Sequence, residues 1–131
     1  STMGVEVKYS SCQFVKSKLT GKYFSFGRKS EFTNCTFEKC DIKSVWIIST
    51  VFRKCLFSSR LINIRFSGQK EAEVSSTNGH SEFPATFIDC DFTDSTFEDV
   101  EIMDGAILTD TLLPNQHHEK FNNDRIYYPK E

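Results

Sequence analysis

Large apolar side chains recur every five residues along this chain. Phe32, Phe37, Ile42, Ile47, Phe52, Phe57 and Ile62 form one unbroken run, and Phe87, Phe92, Phe97, Ile102, Ile107 and Leu112 form a second. Tyr9, Phe14, Leu19 and Phe24 keep the spacing in another register. A period of five matches neither the helical period of about 3.6 nor the strand period of about 2. It suits a chain that turns a corner after every short extended segment. A fixed internal period marks one structural unit stacked on copies of itself.

A second signal lies two residues before each apolar position. Cys12, Ser17, Ser30, Cys35, Cys40, Val45, Thr50, Cys55, Ala85, Cys90, Ser95, Val100 and Gly105 are all small or compact. Each unit reads small-polar-large-polar-polar, as in Cys35-Thr36-Phe37-Glu38-Lys39 and Cys90-Asp91-Phe92-Thr93-Asp94. Lys22 and Arg60 break the template, so either the register slips there or these side chains escape to solvent. Across about residues 7–64 and 85–112 the chain closely resembles the pentapeptide-repeat family.

That resemblance implies an all-β fold: a right-handed quadrilateral β-helix with four five-residue units to each coil. The large residue and the small one two before it then point into the shaft, and the other three face solvent. Residues twenty apart stack, which places Phe32 under Phe52, Phe37 under Phe57, Ile42 under Ile62 and Phe92 under Leu112. Roughly sixteen such units make about four coils, and at a spacing of roughly 4.8 Å the shaft is about 20 Å long.

Composition agrees. The chain of 131 residues is read as a single domain, 1–131, with repeats at about 7–26, 30–64 and 85–112. Nine of its thirteen phenylalanines fall on central repeat positions. A hydrophobic content of 38% is thin for a globular core, but a solenoid needs only its inward positions to be apolar. With no membrane-length apolar run and no basic-then-apolar leader, the expected location is cytoplasmic.

The five cysteines all occupy the small inward position, which packing alone explains. They are expected to be buried free thiols, with Cys35 and Cys55 as stacked neighbours. Cys35 and Cys40 lack zinc-site spacing and nearby histidines, so no metal or other cofactor is expected. Two interruptions break the repeat. One lies around Gly27-Arg28-Lys29. The other, Ser67 to Pro84, is rich in Ser, Glu and Gly and reads as an inserted loop at a corner. The tail, 113–131, carries Phe121, Ile126, Tyr127 and Tyr128 and reads as a cap over the open end. Docking of that end on a second subunit is the alternative. His80, His117 and His118 suggest neither a base nor a ligand.

A net charge of −2 conceals a strong asymmetry. Residues 1–70 carry thirteen Lys or Arg against four acids, whereas 71–110 carry eleven acids and no Lys or Arg. Asp89, Asp91, Asp94, Glu98, Asp99, Glu101 and Asp104 all fall on outward positions and are the candidate partner-binding residues. Lys39, Lys43, Arg53 and Lys54 face outward from the earlier coils. A field of that size steers a cationic partner.

Enzymatic motifs are missing from the sequence: it has no glycine-rich phosphate loop, HExxH or nucleophile elbow. The expected function is non-enzymatic, an immunity-type factor whose acidic coils mask a basic protein surface such as that of a toxin. The family resemblance also suggests a DNA-mimicking, gyrase- or topoisomerase-interacting protein, although about half of this shaft is basic. Charge-driven self-association as a scaffold is a third reading. No small-molecule substrate and no membrane partner are expected, and the acidic coils argue against direct nucleic-acid binding.

Overall fold

The computed structural model describes residues 7–22, 25–76 and 81–130. The chain winds into a β-solenoid of about four turns, mostly strand with one short helix. The first coil carries β1 (Lys8–Ser10), β2 (Gln13–Val15) and β3 (Lys18–Thr20). The second carries β4 (Ser30–Thr33) and the long bent β5 (Thr36–Ile47), and the third carries β6 (Thr50–Arg53) and β7 (Leu56–Phe66). A helix, α1 (Gln69–Ser76), precedes the fourth coil, which holds β8 (Thr86–Ile88) and β9 (Thr96–Ile102). A partial fifth coil begins with β10 (Ile107–Thr109). All coil-to-coil pairings are parallel.

Each coil has four sides, and each side turns one large residue inward. On the first side Tyr9, Phe32, Phe52, Phe87 and Leu108 stack in register. On the second side Phe14, Phe37, Phe57 and Phe92 stack face to face, with centroids 4.7, 4.6 and 4.4 Å apart. Leu19, Ile42, Leu61 and Phe97 fill the third side, and Ile47, Phe66 and Ile102 the fourth. The coil spacing dictates this stacking. Rings on successive strands have nowhere else to go, and neighbouring sides supply the edge-to-face contacts, as between Phe52 and Phe57 at 5.6 Å.

Corners explain the five-residue period. The residue just before most small inward positions has φ between +53° and +57°, as at Ser11, Asn34, Lys39, Ser44, Lys54, Asp89 and Asp99. A sharp turn with a left-handed residue redirects the strand. Asn and Asp tolerate that conformation best among residues with a Cβ, and Ser and Lys adopt it here where the corner requires it.

The register departs from a strict period in two places. Expected inward positions Ile62 and Arg60 face outward, and Ser59 and Leu61 take the shaft instead. Ile42 therefore pairs with Leu61, not Ile62. Losing one residue at this corner avoids burying a guanidinium. Arg60 reaches Glu98 at 3.2 Å and Asp41 at 3.8 Å on the outside. In the last coil one extra residue enters at Gly105, where φ is +95°. Ile107 and Leu112 are consequently exposed, and Ala106, Leu108 and Leu113 pack on the core. Leu112 pairs with Asp91 and does not lie over Phe92. Lys22 is exposed, and Phe24 lies outside the described residues.

Near the first interruption Phe26 turns inward. Its ring meets Phe32, Phe37 and Phe52 edge-on at 5.7, 5.8 and 5.2 Å. The second interruption is not simply a loop, since it begins with α1. Gly68 lets that helix approach the fourth coil: a Cβ there would lie 1.9 Å from the Asp104 carbonyl oxygen.

The tail closes the C-terminal end as a cap. β11 (Glu119–Lys120) and β12 (Ile126–Tyr128) form an antiparallel hairpin, and β12 runs antiparallel to β9. Tyr128 is buried edge-on against Phe97 at 5.0 Å. Gln116 completes the exposed edge with its side-chain amide: Phe97 N–H donates to Oε1 at 2.8 Å, and Nε2 donates to the Phe97 carbonyl at 2.9 Å.

Candidate interaction surface

The seven acids singled out from sequence lie in one coil, but not on one face. Asp91 belongs to the second side, Glu98 to the third and Glu101 to the fourth, while Asp89, Asp94, Asp99 and Asp104 sit at or near corners. They form a collar around the shaft, so a flat partner meets only part of it.

Bases from elsewhere in the chain neutralise three of the seven acids in this collar. Glu98 pairs with Arg60 at 3.2 Å. Asp99 pairs with Arg65 at 3.2 Å and accepts a hydrogen bond from the Tyr127 hydroxyl at 2.8 Å. That bond, with lesser burial, raises the Tyr127 pKa above its ordinary value. Glu101 lies between Arg65 at 3.6 Å and Arg125 at 3.0 Å. Asp91 is spent locally, accepting from the Thr93 N–H and hydroxyl at 2.8 and 2.7 Å. Asp89, Asp94 and Asp104 are exposed and form no ion pair among the described residues. The pairing could not be read from sequence because Arg60 and Arg65 precede the acids by more than thirty residues and meet them only through stacking.

A depression of about 520 Å3 lies between α1, the fourth coil and the tail, with Glu71, Glu73, Glu101 and Asp104 facing Lys70 and Arg125. It continues the negative surface from the collar to the helix.

The sequence reading missed Trp46. This lone tryptophan occupies an outward position between Val45 and Ile47 and is 57% exposed. The two interruptions meet beside it. Arg28 Nε reaches Glu82 Oε1 at 3.0 Å, Ser49 Oγ donates to the Glu82 carboxylate, and Thr50 Oγ1 donates to the Gly27 carbonyl at 2.9 Å. A depression of about 320 Å3 opens between Trp46 and Phe26–Arg28, and another of about 390 Å3 between Trp46 and Val74 of α1. Its signal was an indole at a repeat position that usually holds a polar residue. Asn78, Gly79 and His80 lie outside the described residues.

The cysteines do not form a reactive centre. Backbone hydrogen bonds link Cys12, Cys35, Cys55 and Cys90 into one column, and Cys40 stands on the next side. All five are free thiols, and only Cys12 is not fully buried. Burial raises the Cys35 pKa. The hydrogen bond between Cys55 and Cys90 raises the pKa of Cys55, reinforced by burial, and lowers that of Cys90, but both sulfurs are buried. Buried thiols of this kind are inert towards reagents in solvent. Among the described residues no group of three or more His, Cys, Asp or Glu is placed to hold a metal ion, and no helix is long and apolar enough to cross a membrane.

Compared with protein-family models, curated proteins and solved structures, the chain gives no significant match in any of the three.

Proposed function

We propose that this chain is a pentapeptide-repeat protein that acts without catalysis, as an immunity-type factor covering a basic surface on another protein such as a toxin. The observation that carries this reading is the unneutralised part of the collar. Asp89, Asp94 and Asp104 are exposed without an ion pair among the described residues, whereas of the three described acids in the lower coils Glu31 and Asp41 pair with Arg53 and Arg60 and only Glu38 does not. The acidic depression beside Asp104 extends the same surface. Close charge pairs across an interface couple by about 1.5–7 kcal/mol, enough to set both affinity and partner choice.

The DNA-mimicking reading is weaker on physical grounds. Duplex DNA presents a charge about every 1.7 Å along its whole axis. Here the acids are concentrated in one coil, whose height is roughly 4.8 Å.

The test uses two baits in native lysate: the chain itself and an Asp89→Lys/Asp94→Lys/Asp104→Lys variant. These positions are preferable to Asp91 and Glu98, whose carboxylates are already engaged by Thr93 and Arg60. The reading expects a basic protein captured by the first bait, with affinity for the purified partner falling at least tenfold in the variant. Equal capture by both baits refutes it. Altered gyrase supercoiling would favour the DNA-mimicking alternative instead.

A further inference from the structure

We propose that the second side of the shaft is a self-complementary surface on which a second copy of this chain docks antiparallel. This inference does not rest on the basic-partner reading and concerns the chain alone. One outward column on that side runs Gln13, Thr36, Leu56, Asp91, Leu112 from the first coil to the fifth. Val15, Leu56 and Leu112 stand on this side at 47%, 41% and 57% exposure. Three of the seven exposed large hydrophobic side chains therefore share one side of four, at the bottom, middle and top of the shaft.

Charge along the flanking corners reverses from end to end. At the corner leaving this side stand Lys16 and Lys39 in the first two coils and Asp94 in the fourth. At the corner entering it stand Ser11, Asn34 and Lys54 in the first three coils, then Asp89 and Asp110. All are exposed, and the lysines and aspartates among them form no ion pair among the described residues.

A two-fold axis across the shaft at the level of the third coil inverts this order. It sets Lys39 of one copy against Asp94 of the other, twice by symmetry, and these two attractions outweigh the single approach of Lys54 to Lys54 at the entering corner on the axis. Leu56 meets Leu56 on the axis, and Val15 approaches the Leu112 end. Such an isologous contact closes as a dimer and does not propagate. A parallel arrangement, with its two-fold axis along the shaft, would turn the leaving corner onto the entering one and set Asp94 of one copy against Asp89 of the other. One side is about 10 Å wide and five coils tall, less than the roughly 800 Å2 per partner of a standard interface. The dimer is therefore weak and salt-sensitive. A basic partner that takes Asp94 competes with it.

The test is sedimentation equilibrium of the purified chain from about 5 to 300 µM, at 50 and 500 mM salt. Expected is a monomer–dimer equilibrium that weakens at least tenfold at high salt. Leu56→Asp, on an exposed position, should leave a folded monomer by circular dichroism. Lys39→Asp and Asp94→Lys should each weaken the dimer at least tenfold, and combining them should restore it. A monomer throughout overturns the proposal. So does a dimer that survives Leu56→Asp, or failure of the double variant to recover association.

Discussion

Phe57 makes the sharpest test of the stacked core. Its ring lies between Phe37 at 4.6 Å and Phe92 at 4.4 Å, with Phe52 and Phe87 edge-on at 5.6 and 6.2 Å. Truncating a core Phe to Ala costs about 3–5 kcal/mol, rising with the cavity that survives relaxation. Here the hydrogen-bonded ladders above and below hold the coils apart, so the void cannot collapse. Two stacked aromatic pairs are also lost, each worth about 0.5–1.5 kcal/mol beyond burial. Phe57→Ala is therefore expected near the upper end, at about 4–5 kcal/mol. Tyr9 at the open end is half-buried and stacks on Phe32 at 4.6 Å. Tyr9→Ala should cost only about 1–2 kcal/mol. Urea titration followed by circular dichroism measures both, and with a slope of about 1–3 kcal/mol per molar the midpoints should separate by at least ~0.7 M. Should Phe57→Ala leave too little folded protein, Phe57→Leu gives a graded value. Losses equal within about 1 kcal/mol at positions 9 and 57 would refute the rigid-ladder argument.

Gly68→Ala should cost about 1–3 kcal/mol by forcing α1 off the Asp104 carbonyl, and it should speed proteolysis within 69–84 more than elsewhere. Of the five thiols, Cys12 should react with a thiol reagent in the folded protein, and the other four only at the rate of unfolding. For Tyr127 the folded pKa is raised, mainly by the hydrogen bond to Asp99. That contribution to stability is complete below the unfolded tyrosine pKa of about 10 and is lost as pH rises through the higher folded value. Tyr127→Phe should flatten this alkaline limb in pH-dependent melting, and an unchanged limb would count against the bond.

The period of five carried the fold because it reports a local event, the corner, repeated along the chain. Phe32, Phe37, Phe52 and Phe57 stack as the spacing requires. Ile62 and Leu112 failed because one residue lost or gained at a corner leaves the composition unchanged while shifting every later position. Arg60 marked the first slip, since a buried guanidinium was the improbable alternative. Gly105 passed as a small inward residue, although its freedom at positive φ was what the corner used. The collar was legible as charge but not as pairing. Arg60, Arg65 and Arg125 find Glu98, Asp99 and Glu101 only once coils stack and the tail folds back. Trp46 became prominent only when two distant interruptions were seen to meet beside it.

The two slips also bear on how such a chain can change over evolutionary time. In an ordinary sheet, a one-residue shift turns every later side chain to the wrong face. Here Ser59 and Gly105 show a corner absorbing the deletion or the insertion, after which inward and outward positions resume their proper order. Single-residue indels at corners become small steps available to drift, because each is absorbed where it falls and leaves the outward residues of every later coil outward.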